Sequence, residues 1–394
     1  ATKNSRRKFR RDESNCDIIS SMKLRNPFII KGYQGPEYFC DRRDETRRLI
    51  SAIENGRDVT LMAPRRYGKT GLIKNVFNQI SGDYATIYLD IYSVQDLPSF
   101  VSQFSSAVLK TLDGRLAHFG REFVRFFRSC RPTMTPQGDG TVEFSFDVTS
   151  ANAAMTMEDT FKYLQSCGRA CVIAIDEFQQ VREFPEKGVE ALLRKYIQFL
   201  DKAHFIFAGS KKHLMEEMFT TARGPFYQST QIMSLDVIER THYRSFAEHF
   251  FTAQHRPFKA VAFNHLYDLF EGITWYVQAV LNRVWSEGGG CVTPADVDEA
   301  VDVLVAENAL VYRDLLMSQS TAERALLQAI AREGRVKGIS GKGFIERHRL
   351  PAASTIRSAA AALIKRELLY SDANGVAVYD RIFARWLARA GVSA

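Results

Sequence analysis

Three short runs hold residue types at spacings that can do chemistry. The first is Ala63-Pro64-Arg65-Arg66-Tyr67-Gly68-Lys69-Thr70, which fits a phosphate-binding loop except that Ala63 stands where the first glycine is usual. Phosphates settle at a helix N-terminus, where backbone N–H groups have no intrahelical acceptor. In such a loop Gly68 allows close backbone approach, Lys69 reaches the β- and γ-phosphates, and the Thr70 hydroxyl ligates Mg²⁺. Pro64 to Gly71 is therefore the expected cradle for a nucleotide. An alanine at 63 is tolerated where φ is negative. Arg65 and Arg66 either touch phosphate or face solvent.

The second run, Cys171-Val172-Ile173-Ala174-Ile175-Asp176-Glu177, is an apolar strand ending in two carboxylates. Asp176 is expected to hold the Mg²⁺ shell, and Glu177 to polarise an attacking water as general base. Such a pair is otherwise an exposed turn, but the loop lysine lies 107 residues upstream. That distance leaves room for an extra strand between the two motif strands, as in P-loop ATPases with an additional catalytic carboxylate. The third run, Phe205 to Ser210, is a strand expected beside the Asp176 strand. Ser210 then either senses the γ-phosphate or simply ends a strand. Arg223 either contacts phosphate, in cis or from a neighbouring subunit, or is a surface residue.

These runs need elements to hold them. Val59–Met62 reads as a short buried strand entering the loop, and Lys69–Ile80 as the helix leaving it. Asp41–Asn55 and Leu97–Leu112 read as further helices. Ala85–Asp90, Ala170–Ile175, Phe205–Ala208 and Gln231–Leu235 read as strands, and Thr141–Val148 alternates like a hairpin strand around a turn at Gly138–Gly140. Strands alternating with helices imply a parallel sheet flanked by helices on both faces. From 240 to 317 only helical periodicity remains, with Thr293-Pro294 opening a helix.

Residues 321–394 read as helix, short helix, helix, hairpin, helix, which is winged-helix order. The third of these helices opens near Leu350 and runs to about Arg366. Its outer face is expected to carry Ser354, Arg357, Ser358, Ala361 and Lys365, with Arg335, Lys337 and Lys342 in reach of phosphates. That face is short of the Arg, Asn and Gln that read bases, so any DNA contact would be non-specific. The other reading is a winged helix that packs on the core or on a protein. The expected division is a basic disordered tail (1–25), a core (26–237), a helical lid (238–319) and a winged helix (320–394).

Composition agrees with an ordered chain: 45% hydrophobic and 25% charged residues exclude collagen-like or disordered classes. The net charge of +8 sits at the ends, +6 over residues 1–31 and +7 over 321–394, against −5 between them. Basic ends suit a polyanion such as double-stranded DNA, or mere solvation. No apolar run is long enough to span a membrane, and no secretory signal is visible. Six scattered cysteines suit free thiols in a reducing cytoplasm.

Taken together, NPF…GPEYFCDRRDE, APRRYGKT, IDEFQQV, FAGSKKHLM, PFYQS and the tail VYDRIFARWL resemble the archaeal-type ATPases, a STAND-like branch of the AAA+ P-loop proteins. The resemblance spans roughly 26–390. It implies a P-loop ATPase core, a helical lid, a winged helix, and ATP or ADP with Mg²⁺. It also implies that Phe39-Cys40-Asp41-Arg42 lies near the adenine, with Asp41 in place of a usual glycine. Glu271-Gly272-Ile273-Thr274 lacks the lid proline, and no sensor arginine follows. The resemblance does not fix a biological role; the first expectation is a nucleotide-dependent switch acting on DNA, and the alternative is a nucleotide-gated signalling or defence scaffold, with a protein partner or self-association.

Overall fold

A computed structural model describes residues 26–113, 127, 129–130, 132–136 and 142–390. The expected tail and the Gly138–Gly140 turn lie outside the described residues. The core strands are β1 (Val59–Met62), β2 (Ala85–Asp90), β5 (Cys171–Asp176), β6 (Ala203–Gly209) and β7 (Gln231–Ser234). Between β2 and β5, β3 (Thr133–Pro136) and β4 (Val142–Ser145) form an antiparallel hairpin. The five core strands are all parallel, in the order β2-β5-β6-β1-β7. The strand carrying Ser210 thus lies between the loop strand and the carboxylate strand.

The alternation of side chains along these strands divides the core into two layers. Ile87, Leu89, Ile173, Ile175, Phe205 and Phe207 face one layer, beneath the helices Leu97–Asp113, Ala153–Ser166 and Val189–Ile197. Val59, Leu61, Val172, Ala174, Ile206 and Ala208 face the other, beneath Arg43–Glu54 and Lys69–Ile80. Both faces being apolar explains why β5 reads as one unbroken hydrophobic run.

A third apolar cluster joins the helices from Arg240 onward to the C-terminal unit without interruption, from Tyr243 to Leu387. That unit has the helices Thr321–Glu333, Lys342–His348, Ala353–Lys365 and Arg381–Ala390. Its strands β8 (Arg335–Val336), β9 (Leu369–Asp372) and β10 (Gly375–Val378) pair antiparallel in the order β8-β10-β9. Thr293 closes a capping box with Asp296 at the start of Pro294–Glu307. The residues before the core belong to this cluster too. Phe28 is fully buried among Phe246, Phe250, Phe251 and Trp285, and Asn26 donates to the Asn282 carbonyl.

Candidate functional site

The loop from Ala63 to Gly68 links β1 to the helix Lys69–Ile80. Ala63 sits at negative φ, so its Cβ costs nothing there. Gly68 takes φ +93, which a side chain would resist, and Arg66 takes φ +72. An arginine held left-handed needs support. The Arg66 carbonyl accepts the Trp275 N–H at 3.0 Å. The neighbouring Tyr67 carbonyl accepts from the Thr274 hydroxyl at 3.3 Å and from Arg42 at 3.2 Å.

Lys69 is buried, and its ammonium donates to the Ala63 carbonyl at 2.9 Å. Burial lowers its pKa, and the carboxylates of Glu177 and Asp176 oppose that. The Thr70 hydroxyl donates to Asp176 Oδ2 at 2.8 Å, and the Tyr88 hydroxyl donates to the same oxygen at 2.7 Å. Burial and Asp176 both push the Tyr88 pKa far up, so the phenol stays protonated. Two hard oxygen donors, a hydroxyl and a carboxylate, meet where the helix Lys69–Ile80 begins and β5 ends. That donor set suits Mg²⁺ completed by phosphate and water.

Glu177 follows Asp176 at φ +55. Its Oε2 accepts from the Ser210 hydroxyl at 2.6 Å and from the Gln179 amide at 2.5 Å. Lys69, Thr70, Asp176 and Glu177 line one cavity of about 380 Å³, together with the loop from Arg65 to Gly71. The same cavity is lined by Ile29, Ile30, Tyr33, Gln34, Tyr38, Phe39, Cys40, Arg42 and Ile238, and by Thr274, Trp275 and Gln278. Apolar residues and a cationic loop in one cleft suit a nucleotide's base and phosphates.

Asp41 and Arg42 both take left-handed φ, +52 and +62. This is the conformation that makes a glycine usual here, and an aspartate tolerates it better than most residues. The buried Arg42 side chain ties the segment to the loop and to the Asp236 carbonyl at 2.5 Å.

The side chains of the two loop arginines turn toward the C-terminal unit. Arg65 pairs with Glu367 at 2.9 Å, and its backbone N–H donates to the Tyr379 hydroxyl at 3.0 Å. Arg66 pairs with Asp380 at 3.0 Å, bonds the Tyr276 hydroxyl and stacks on Trp275 at 4.6 Å. Neither arginine simply faces solvent. Arg223 is exposed and is not part of the cavity wall.

On the helix Ala353–Lys365, Ser354, Arg357, Ser358, Ala361 and Lys365 are exposed, while Ile356, Ala359, Ala360 and Leu363 are buried. Arg335 departs from expectation. It is bound to Glu271 at 2.9 Å and to Asp372 at 2.6 Å, so it is not free for a nucleic-acid phosphate. Tyr88, Gln179, Tyr276 and Tyr379 escaped the sequence reading. Gln179 and Tyr379 lie within the motifs IDEFQQV and VYDRIFARWL, but nothing in either run marked their partners.

The sheet order, with one strand between the loop strand and the carboxylate strand, and the loop itself define a P-loop ATPase fold. The family of ATPase domains found predominantly in archaea matches residues 39–280, and this chain belongs to it. A probable winged helix domain matches residues 310–389. A search of curated proteins finds no match. Among solved structures, a Walker-type ATPase of Pyrococcus abyssi is similar over 92% of this chain and 99% of its own, at 16% identity and a TM-score of 0.63. The ORC2 protein of Aeropyrum pernix, solved in ADPNP and ADP complexes, is similar over 93% and 98%, at 13% identity and a TM-score of 0.57. No described helix is long and apolar enough to cross a membrane.

Proposed function

We propose that this chain binds ATP in the cleft between loop and lid, hydrolyses it, and uses the nucleotide state to set the placement of its winged helix. One observation carries the reading: Lys69, Thr70, Asp176 and Glu177 converge on one cavity that apolar side chains also line. In this reading Lys69 and the N–H groups opening the helix Lys69–Ile80 neutralise the phosphates. Thr70 and Asp176 would hold Mg²⁺, which when bound offsets charge on the β- and γ-phosphates. Glu177 takes a proton from the attacking water. The ion pairs of Arg65 and Arg66 with Glu367 and Asp380 support the switch, because they tie the phosphate loop to the C-terminal unit.

The test pairs two variants. Lys69→Ala should weaken ATP binding at least ~10-fold in a calorimetric titration, since the lost charged contacts are worth about 1.5–3 kcal/mol. Unchanged affinity would remove the phosphate-loop role. Glu177→Gln should retain binding and lose about 10²–10⁴-fold in turnover.

The winged helix is proposed to act on double-stranded DNA through the exposed Arg357, Lys365, Lys337 and Lys342. Arg357→Ala with Lys365→Ala should then lower affinity for unrelated duplexes alike. It should also flatten the salt dependence by about two counterions in a fluorescence-anisotropy titration. Ile364, 39% exposed on this helix, favours a second reading, a protein partner. Absence of duplex binding at low salt would leave that reading.

A further inference from the structure

Glu177 has two side-chain donors, and both reach the same oxygen. The Ser210 hydroxyl lies 2.6 Å from Oε2, and the Gln179 Nε2 lies 2.5 Å from it. The Gln179 amide is held in its turn. Its Oε1 accepts the Ser210 backbone N–H at 3.3 Å, so Nε2 must be the end that faces the carboxylate. Gln179 is 2% exposed, in the short 3₁₀ turn Phe178–Glu183 that follows Glu177. Room for the amide exists because residue 209 is glycine; a Cβ there would lie 2.6 Å from Gln179 Oε1. Gln179, Glu177 and Ser210 therefore form a closed triangle at the ends of β5 and β6.

We infer that Gln179 is the positioning residue of the hydrolytic base, and that Glu177 Oε1 is the oxygen that takes the proton. This rests on the ATPase reading above. An oxygen already accepting two hydrogen bonds is a poor further acceptor, and the clamp stops the carboxylate from rotating. In the step so arranged, the water oxygen forms a bond to the γ-phosphorus. The bond from that phosphorus to the bridging oxygen breaks, its electron pair leaves with ADP, and the water proton passes to Oε1. Gln179 does not line the cavity; it acts through Glu177.

The experiment measures kcat and KM of the full chain for Gln179→Met, which keeps the volume without the donor, and for Gln179→Leu. Metal-free ATP affinity by titration and the melting temperature are measured alongside. The expected result is a fall in kcat of about 10–100-fold, as for other outer-shell partners, with KM and metal-free affinity nearly unchanged. Adding Gln179→Met to Glu177→Gln should bring no further loss, because both act through one group. Wild-type kcat in Gln179→Met, or a fully additive loss in the double variant, would overturn the inference. If the unaltered chain does not hydrolyse ATP, the ATPase reading falls first and takes the inference with it.

Discussion

Asp58, one residue before β1, shows what burial does to a half-buried carboxylate. Its Oδ1 accepts the Phe205 N–H at 2.7 Å. Burial nonetheless pushes its pKa up to about 6, and the hydrogen bond only partly opposes that. The folded value lies above the unfolded one, so the folded chain binds the extra proton. The stabilisation is fully present below about pH 4 and is lost as pH rises through about 6. Asp58→Asn keeps the acceptor and removes the charge. It should therefore stabilise the fold at pH 7.5 by ~1–2 kcal/mol after discounting for partial exposure, seen as a higher melting temperature, and change little at pH 4. Equal melting of variant and parent at both pH values would show that burial does not raise the Asp58 pKa.

At the scale of elements, β6 ends where three pieces crowd together. A Cβ at Gly209 would meet Met215 Sδ at 2.4 Å as well as Gln179. Gly209→Ala should cost ~1–3 kcal/mol of stability by overpacking. It should also lower turnover by displacing the amide; a melting scan and an ATPase assay check the two together. The elements themselves were largely legible. Lys69–Ile80, Ala85–Asp90 and Thr321–Glu333 have the bounds that periodicity and caps indicate. So were Lys69, Thr70, Asp176 and Glu177, because backbone geometry dictates their types at fixed offsets. The partners that orient them were not. Tyr88 is an ordinary residue of its strand, and only the pairing of β2 with β5 brings it to Asp176; Gln179 sits two residues after Glu177, but nothing in the run marks it as the donor. The fate of Arg65 and Arg66 was equally hidden, since Glu367 and Asp380 lie some 300 residues away.

The whole molecule is two bodies meeting at the cleft beside the phosphate loop. One is the sheet with its two apolar layers; the other is the helical unit and winged helix on one shared core. Arg65 and Arg66 are joints between them, with side chains 31% and 32% exposed. Glu367→Gln with Asp380→Asn should loosen the joint by ~1–2 kcal/mol in total. Fluorescent-ATP dissociation should then quicken by roughly 5–30-fold in stopped flow. Dissociation at the parent rate would mean that the pairs do not hold the cleft closed.

The bond between the Arg65 N–H and Tyr379 spans 314 positions of the chain. That separation has a consequence during synthesis. The last core strand ends at Ser234, and Tyr379 emerges only after 145 more residues. At about 5–20 residues per second, the ribosome delivers them roughly 7–30 s later. Through that interval a newborn core carries its phosphate loop without the tyrosine and acids that later grip it. Nascent chains stalled near residue 300 should therefore exchange nucleotide faster than released full-length protein, which a filter-binding chase on stalled ribosomes would measure.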